Sequence, residues 1–232
     1  MKKSKILDMK ITKKIYFINF NQDKSCFCIG TDEGYELYNT EPLKLIRKKK
    51  IGPNGVIYIT MLYRTNIIAF VKKDGDFAKE EEKKLIIYDD KEDIINATIE
   101  FKESVRYVFL NKQVLVVSLT SHVFIYDLVN IKLIFKYELF PISNGICALS
   151  NKNNARFSLA ATVPHKPGSV LIRHFQGTPI SLMEEINIDC HKTAIQFITF
   201  SDNCEYIVTS SRKGTLIRIF HASTGHKMKE LR

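Results

Sequence analysis

Hydrophobic residues along the chain occur in short clusters of isoleucine, valine, tyrosine and phenylalanine, separated by asparagine, aspartate, glycine and serine. Clusters of this length, rich in β-branched and aromatic residues and bounded by turn formers, are typical of β-strands. No long stretch keeps the apolar spacing i, i+3, i+4 and i+7 of an amphipathic helix. The pattern therefore predicts an all-β chain with strands over residues 15–20, 26–30, 35–38, 56–62, 67–71, 85–88, 105–110, 114–119, 123–126, 159–163, 170–172, 195–200, 207–209 and 216–220.

Five of these clusters resemble one another: YELYNT at 35–40, LIIYDD at 85–90, VFIYDL at 123–128, VLIRHF at 170–175 and LIRIFHA at 216–222. With Tyr38, Tyr88, Tyr126, Arg173 and Phe220 as equivalent positions, the pattern recurs every 38 to 50 residues. Units of about 40–45 residues with four short strands are the signature of WD-type β-propellers, whereas a β-sandwich needs no such recurrence. We predict one partial WD40-type β-propeller domain over residues 1–232, with about five blades.

Charge is unevenly distributed along the chain. The segment KKDGDFAKEEEKK at residues 72–84 predicts a solvated loop within the second blade, and KLIRKKK at 44–50 is also expected in a loop. The formal net charge of +10 favours an anionic partner such as a lipid surface, an acidic protein or a nucleic acid. Lysine-rich solvated loops explain the same excess. Because the aromatic residues alternate as core positions instead of clustering with basic ones, we expect no nucleic-acid partner.

The residues that carry chemistry do not form a catalytic or metal-binding pattern. The sequence contains no nucleophile elbow, no H-E-x-x-H and no phosphate-binding loop, so we predict a protein that is not an enzyme and has no cofactor. The cysteines are odd in number and lie among apolar residues, which favours reduced, mostly buried thiols. Cys190, His191 and Cys204 lack the paired spacing of a zinc site, so no metal is expected. Neither an export signal nor a membrane-spanning apolar run is found, and a cytoplasmic or nuclear location is expected.

The segment from residue 191 to residue 232 carries the most specific pattern. It has a histidine before a strand, then TSSRKGTLIR at 209–218, then Leu231 and Arg232. It resembles the fifth blade of the PROPPIN family, seven-bladed propellers in which the pattern ends in Leu-Arg-Arg-Gly. The segments FNQDKSCFCIGTDEGYELYNTEPL at 20–43, MLYRTNIIAFV at 61–71 and KLIIYDD at 84–90 resemble the family's first two blades. The resemblance is to the WIPI-like branch of the family. It implies that the chain ends after about five of an expected seven blades.

The resemblance implies a function. Family membership would make the chain a scaffold that binds phosphatidylinositol 3-phosphate, and in some cases phosphatidylinositol 3,5-bisphosphate, in autophagy or endosomal membrane traffic. It would be a monomer, peripherally attached to autophagosomal, endosomal or vacuolar membranes, and would recruit protein partners there. The alternative is a generic WD-repeat interaction scaffold without lipid binding. The chain contains no tryptophan, which argues against an ordinary WD40 protein.

The resemblance also implies the site residues. The residues that match the family's first lipid pocket are His191, Thr209, Ser211, Thr215, Arg218 and Arg232. A phosphate monoester calls for guanidinium, hydroxyl and ring N–H donors, which these residue types supply. Thr209 and Ser211 also suit strand-end backbone contacts, and Arg218 also suits an ion pair within the sheet. The family's second pocket uses the second arginine and a sixth blade, so we expect this chain to bind membranes weakly.

A second implied site lies in the first blade. Asn21 and Asp23 match positions through which family members engage the lipid-transfer protein of the autophagy machinery. The sequence Asn-Gln-Asp also forms β-turns readily, and the two explanations have similar weight.

Overall fold

The computed structural model describes residues 13–75, 79–140, 144–150 and 156–232. Within these ranges the chain forms twenty β-strands and one short 3-10 helix. The strands make five four-stranded antiparallel sheets, and each sheet is a meander whose strands follow one another in sequence. This arrangement confirms the predicted all-β propeller with about five blades.

The strand bounds are as follows. Blade 1 contains β1 (Ile15–Phe20), β2 (Cys26–Thr31), β3 (Gly34–Asn39) and β4 (Lys44–Lys50). Blade 2 contains β5 (Val56–Met61), β6 (Ile67–Lys72), β7 (Lys84–Asp89) and β8 (Ile94–Glu100). Blade 3 contains β9 (Tyr107–Leu110), β10 (Val114–Ser118), β11 (His122–Asp127) and β12 (Leu133–Glu138). Blade 4 contains β13 (Cys147–Leu149), β14 (Arg156–Val163), β15 (Lys166–Gln176) and β16 (Ser181–Asp189). Blade 5 contains β17 (Ile195–Phe200), β18 (Tyr206–Ser211), β19 (Ile217–His221) and β20 (Lys227–Leu231).

The fourth strand of each blade is an outer edge, and the hydrophobic pattern misses all five of these strands. The lysine-rich stretch expected in a loop is strand β4, so that expectation is wrong. Six of its seven residues are exposed, because one edge and much of its surface face solvent. A strand in this position needs no apolar alternation, and its lysines discourage pairing with another edge.

A β-bulge marks the same place in every blade. The pairing of the third strand with the fourth shifts at Tyr38, Tyr88, Tyr126, Phe175 and Phe220. Phe175, and not Arg173, is therefore the equivalent position in blade 4. The third strand of that blade is 11 residues long, and its length hides the correct alignment in the sequence. Arg173 instead lies 3.7 Å from the ring centre of Tyr137 in blade 3.

The apolar core lies between neighbouring blades. Each cluster joins two adjacent sheets, as where Tyr35 and Leu37 of blade 1 pack with Ile59 and Phe70 of blade 2. Four of the five cysteines are buried free thiols, and Cys204 is partly exposed, which confirms the prediction of mostly buried thiols. Burial raises the pKa of Cys28, Cys147 and Cys190 to about 12, so these thiols are inert at neutral pH.

The side chain of Gln22 links three blades at the end of the propeller that carries the β1–β2 turn. The amide nitrogen of Gln22, in the β1–β2 turn, donates to the carbonyl oxygens of Met61 in blade 2 and Leu110 in blade 3, both at 2.8 Å. The amide oxygen accepts from the backbone N–H of Tyr63 at 2.6 Å. Blade 1 is thereby fixed to a blade that is not its neighbour.

Aspartates at the ends of third strands cap the following turns. Oδ1 of Asp89 accepts from the backbone N–H groups of Lys91 and Glu92, at 3.0 and 2.9 Å. Asp127 makes the equivalent contacts in blade 3 with the N–H groups of the second and third residues after it. Both aspartates therefore cap the turns that follow their strands.

The charged segment 72–84 connects β6 to β7, and its residues 76–78 lie outside the described part of the chain. Its described residues form ion pairs with one another, including Lys73 with Glu82 at 3.2 Å and Lys84 with Glu81 at 2.8 Å. Across the described ranges, no helix has the length and apolar character needed to cross a membrane.

Candidate functional site

The strands of blade 5 bring all six predicted lipid-binding residues to one end of the blade. His191 lies just before β17, Thr209 and Ser211 lie at the end of β18, and Arg218 lies near the start of β19. Arg232 follows β20, whose Leu231 pairs with Ile217. Because the sheet is antiparallel, the start of one strand meets the end of the next. The six residues therefore share one end of blade 5, at its junction with blade 4.

His191 and Thr209 are in direct contact. Nε2 of the imidazole lies 3.0 Å from the Thr209 hydroxyl, which is fully buried. Gly168 of blade 4 accepts from the His191 N–H at 2.8 Å, and a Cβ on this glycine would lie 1.7 Å from the His191 carbonyl oxygen. Burial, and then the nearby Arg218 guanidinium, lower the pKa of His191 below its ordinary value. The imidazole is consequently neutral at physiological pH.

Arg218 is held by an acidic residue that sequence reasoning missed. Its Nε donates to Oε2 of Glu230 at 2.7 Å, and its terminal nitrogen donates to the carbonyl oxygen of Cys190. The same pair occurs in blade 4, where Nε of Arg173 donates to Glu185 at 2.6 Å. The two arginines occupy equivalent positions, each two residues before the third-strand bulge. This repetition favours the intrasheet ion pair as the main role of Arg218.

The turn between β18 and β19 presents the most accessible groups of the site. The N–H of Gly214 donates to the carbonyl of Ser211 at 2.8 Å, and the φ of +72° at Gly214 is a backbone conformation that favours glycine. Ser211 is buried at the base of the turn. Thr215 is exposed, and its hydroxyl has no hydrogen-bond partner within the described ranges. The turn thus offers a free hydroxyl beside buried ones.

A rim of exposed cations surrounds these hydroxyls. Lys192, Arg212, Lys213 and Arg232 are exposed at this end of blade 5. The pKa of Glu230 is lowered first by its hydrogen bond to Arg218 and, more weakly, by Lys227 and Arg232. One carboxylate against several cations leaves a positive local field. Such a surface suits a small anion with several acceptor oxygens.

The side-chain amide of Asn21 makes structural hydrogen bonds in and around its own turn. Its Oδ1 accepts from the N–H of Cys26 at 3.0 Å, and its Nδ2 donates to Ser25 and to the carbonyl of Tyr63, both at 3.2 Å. The corresponding turns of other blades carry a capping side chain at the same place, namely Asn111, Ser150 and Ser201. The contacts favour the turn explanation for Asn21.

Asp23 differs from Asn21 because its carboxylate is exposed. It accepts from the N–H and the hydroxyl of Ser25, at 3.0 and 2.6 Å, and these hydrogen bonds lower its pKa. An ionised carboxylate at the tip of a turn remains accessible to a partner.

In the part of the chain that the structure describes, no group of three or more histidine, cysteine, aspartate or glutamate side chains is placed to hold a metal ion. Cys190 lies just before β17 and Cys204 in the turn after it. The two thiols are therefore at opposite ends of blade 5.

Comparison with known proteins gives consistent matches. The family model described as PROPPIN matches residues 14–232. "Autophagy-related protein 18" of Dictyostelium discoideum is 30% identical over 225 residues, which cover 96% of this chain and 57% of that protein. The protein of the same name from Yarrowia lipolytica is 30% identical over 243 residues, covering 96% and 59%. The chain thus spans less than two thirds of these relatives.

Solved structures show the same fold. "Kluyveromyces lactis Hsv2 complete loop 6CD" superimposes with a TM-score of 0.80 at 24% identity, covering 95% of this chain and 63% of that one. "Complex of KlAtg21 with coiled-coil of AgAtg16" superimposes with a TM-score of 0.74 at 24% identity, covering 94% and 71%.

Proposed function

Because this chain belongs to the PROPPIN family, we propose that it is a phosphoinositide-binding scaffold of autophagy or endosomal membrane traffic. Its ligand is phosphatidylinositol 3-phosphate, with the 3,5-bisphosphate as a second ligand, and its location is the cytoplasmic surface of autophagosomal, endosomal or vacuolar membranes. One observation carries the proposal: buried and exposed hydroxyls and a neutral histidine lie under a rim of cations at the end of blade 5.

The chemistry of the head group fits this arrangement. A phosphate monoester carries nearly two negative charges at neutral pH and offers three acceptor oxygens. Thr215 and Arg232 are exposed, so they are the direct ligands we assign. Hydroxyl and guanidinium donors make charge-assisted hydrogen bonds with such an anion.

The buried residues act beneath the ligand. Thr209 and Ser211 shape the floor of the site, and His191 supplies a polar ring that can take up a proton. Arg218 contributes its charge from within the ion pair with Glu230. We assign Arg218 the role of a positioning residue, since its Nε and a terminal nitrogen are already engaged.

Partner recruitment is assigned to the opposite end of the propeller. Asp23 presents an ionised carboxylate there, and Asn21 holds the turn that carries it. The proposed partner is the lipid-transfer protein of the autophagy machinery. A monomeric propeller that binds lipid at one end and protein at the other would serve as a membrane-attached scaffold.

The described residues form one candidate lipid pocket, so we expect the 232-residue chain by itself to bind membranes weakly. Each basic side chain near an anionic membrane contributes about 1 kcal/mol, and stable attachment generally needs two signals. The test is co-sedimentation of the chain with vesicles that contain or lack phosphatidylinositol 3-phosphate. We expect a small, lipid-selective increase in the pelleted fraction.

Variants separate selective binding from net charge. Thr215→Ala with Arg232→Ala should abolish the lipid-selective fraction. Arg64→Ala, which removes the same charge from an exposed turn of blade 2, should leave it unchanged. Equal pelleting with and without the inositide, unaffected by either change, would contradict lipid recognition and favour the interaction scaffold without lipid binding.

A further inference from the structure

A cavity of about 370 Å³ lies between blades 4 and 5, at the end opposite the proposed lipid site. It is bounded by strands β14 to β16 of blade 4 and by the β17–β18 and β19–β20 turns of blade 5. Cavities of this size accept a ligand or a large side chain. Strand β18 has six residues at about 3.3 Å each, so the two sites lie roughly 20 Å apart.

The floor of the cavity is apolar and fixed. Phe157 and Phe175 stack with ring centres 4.9 Å apart and are almost completely buried. Nε2 of His174 donates to the carbonyl oxygen of Ala222 in blade 5 at 3.1 Å, and its Nδ1 lies 2.7 Å from the Ser158 hydroxyl. The imidazole therefore holds the two blades at a set separation, and the cavity is preformed.

The rim carries carboxylates that no ion pair neutralises. Glu184 and Glu205 are exposed, and within the described ranges neither forms a salt bridge. Glu205 accepts a hydrogen bond from Asn203 at 2.8 Å. Arg156 is exposed at another part of the rim, so the described residues that line the cavity carry a net charge of about −1. On a chain with a formal net charge of +10, such a rim favours a cationic ligand.

One wall of the cavity is an open sheet edge. Strand β16 is the outer strand of blade 4 and, at nine residues, the longest of the five outer strands. All its charged side chains are acidic, so no lysine protects this edge. Leu182 and Met183 are 38% and 58% exposed beside the cavity. An extended peptide can add to such an edge and gain backbone hydrogen bonds.

We propose that this cavity and the β16 edge bind an extended basic peptide segment of a partner protein. The peptide pairs with β16 from Glu184 onward, beyond the bulge at Met183, inserts one apolar side chain over Phe157 and Phe175, and places lysine or arginine beside Glu184 and Glu205. The flexible thioether of Met183 adapts the wall to the inserted side chain. Because the lipid site lies at the other end of the blade, peptide and membrane can be bound together. The proposal does not depend on lipid binding.

The test uses fluorescence anisotropy with a labelled peptide of alternating lysine and leucine, and a control peptide in which glutamate replaces lysine. We expect the lysine peptide to bind at least tenfold more tightly than the glutamate peptide. Glu184→Lys with Glu205→Lys should weaken its binding about tenfold or more. The matched control is Glu92→Lys with Glu138→Lys, which changes the net charge equally at exposed positions of blades 2 and 3. The control should bind as the unmodified chain does.

Hydrogen exchange locates the peptide. Bound peptide should slow exchange of amides in β16 and leave those of the outer strand β12 unchanged. Equal loss of binding in both double variants, or protection outside blades 4 and 5, would overturn the proposal. Melting curves of all variants establish that each is folded.

Discussion

Nε of Arg218 and Oε2 of Glu230 lie 2.7 Å apart on neighbouring strands, directly beneath the rim proposed to bind phosphate. The carboxylate neutralises a cation that the resemblance assigns to the ligand. An arginine held by this ion pair mainly stabilises the sheet, and its contribution to ligand binding is secondary. The consequence is that Glu230 opposes anion binding.

We predict that Glu230→Gln strengthens the binding of phosphatidylinositol 3-phosphate. A carboxylate beside the bound phosphate repels its negative charge, so removal of the carboxylate charge should tighten binding several-fold. Vesicle co-sedimentation at several lipid concentrations measures the change. Glu185→Gln, the equivalent change in blade 4, is the control and should have no effect. Weaker binding by the Glu230 variant alone would mean that the carboxylate is needed to hold Arg218 in place.

We predict that Gln22→Ala destabilises the propeller more than its position in a turn would suggest. The carbonyl oxygens of Met61 and Leu110 and the N–H of Tyr63 each lose a hydrogen bond. The loss should cost about 2–3 kcal/mol, or roughly 5–10 °C in melting temperature. Gln196→Ala removes an exposed glutamine from β17 and should melt within about 1 °C of the unmodified chain. Similar melting temperatures for both variants would show that the hydrogen bonds of Gln22 to blades 2 and 3 do not stabilise the propeller.

The repeat was predictable because at least half of the residues in the second strand of every blade are buried. Branched and aromatic residues at those positions give a signal that a single sequence reveals. Strand β4 gives no such signal, since six of its seven residues are exposed. Local similarity aligns Arg173 with Tyr126 because it does not detect strand register. Only the bulge, a property of strand pairing, identifies Phe175 as the equivalent residue.

The candidate site was also only partly predictable from the sequence. The family resemblance is what identifies His191, Thr209 and Thr215 as candidate site residues, and the structure shows His191 in contact with Thr209. The contacts of Gln22 join residues up to 88 positions apart and follow from the curvature of the propeller. Glu230 lies 12 residues after Arg218, and an antiparallel pair flanking a short turn is a signal that sequence analysis can use.

We predict that substitutions of Asn21 and Asp23 have different effects, the first on the stability of the chain and the second on partner binding. Asn21→Ala removes the acceptor for the Cys26 N–H and should lower stability by about 1–2 kcal/mol. Asp23→Ala removes an exposed carboxylate and should leave the melting curve nearly unchanged. If Asp23 contacts the lipid-transfer protein, pull-down of that partner should fall in the Asp23 variant alone. Lost pull-down in the Asn21 variant with an unchanged melting curve would instead make Asn21 a contact residue.

The last prediction concerns pH. Burial, then Arg218, lower the pKa of His191 from its ordinary value of about 6.5, so the unfolded chain binds this proton more readily. The contribution of His191 to stability is therefore present above about pH 6.5 and is lost as pH falls below it. A bound phosphate has the opposite effect, since it stabilises the imidazolium. Anion binding should take up a proton and should tighten as the pH falls.

The measurement compares affinities for soluble inositol 1,3-bisphosphate at about pH 7.5 and 6 in the unmodified chain and in His191→Gln. The phosphate's own titration is common to both proteins, so the difference isolates the imidazole. A shift of one pKa unit on binding corresponds to up to tenfold in affinity, and we expect the unmodified chain to gain about three- to tenfold over the variant at the lower pH. His226→Gln changes an exposed histidine at the other end of blade 5 and should preserve the gain. Parallel pH profiles for the unmodified chain and the His191 variant would remove His191 from the site.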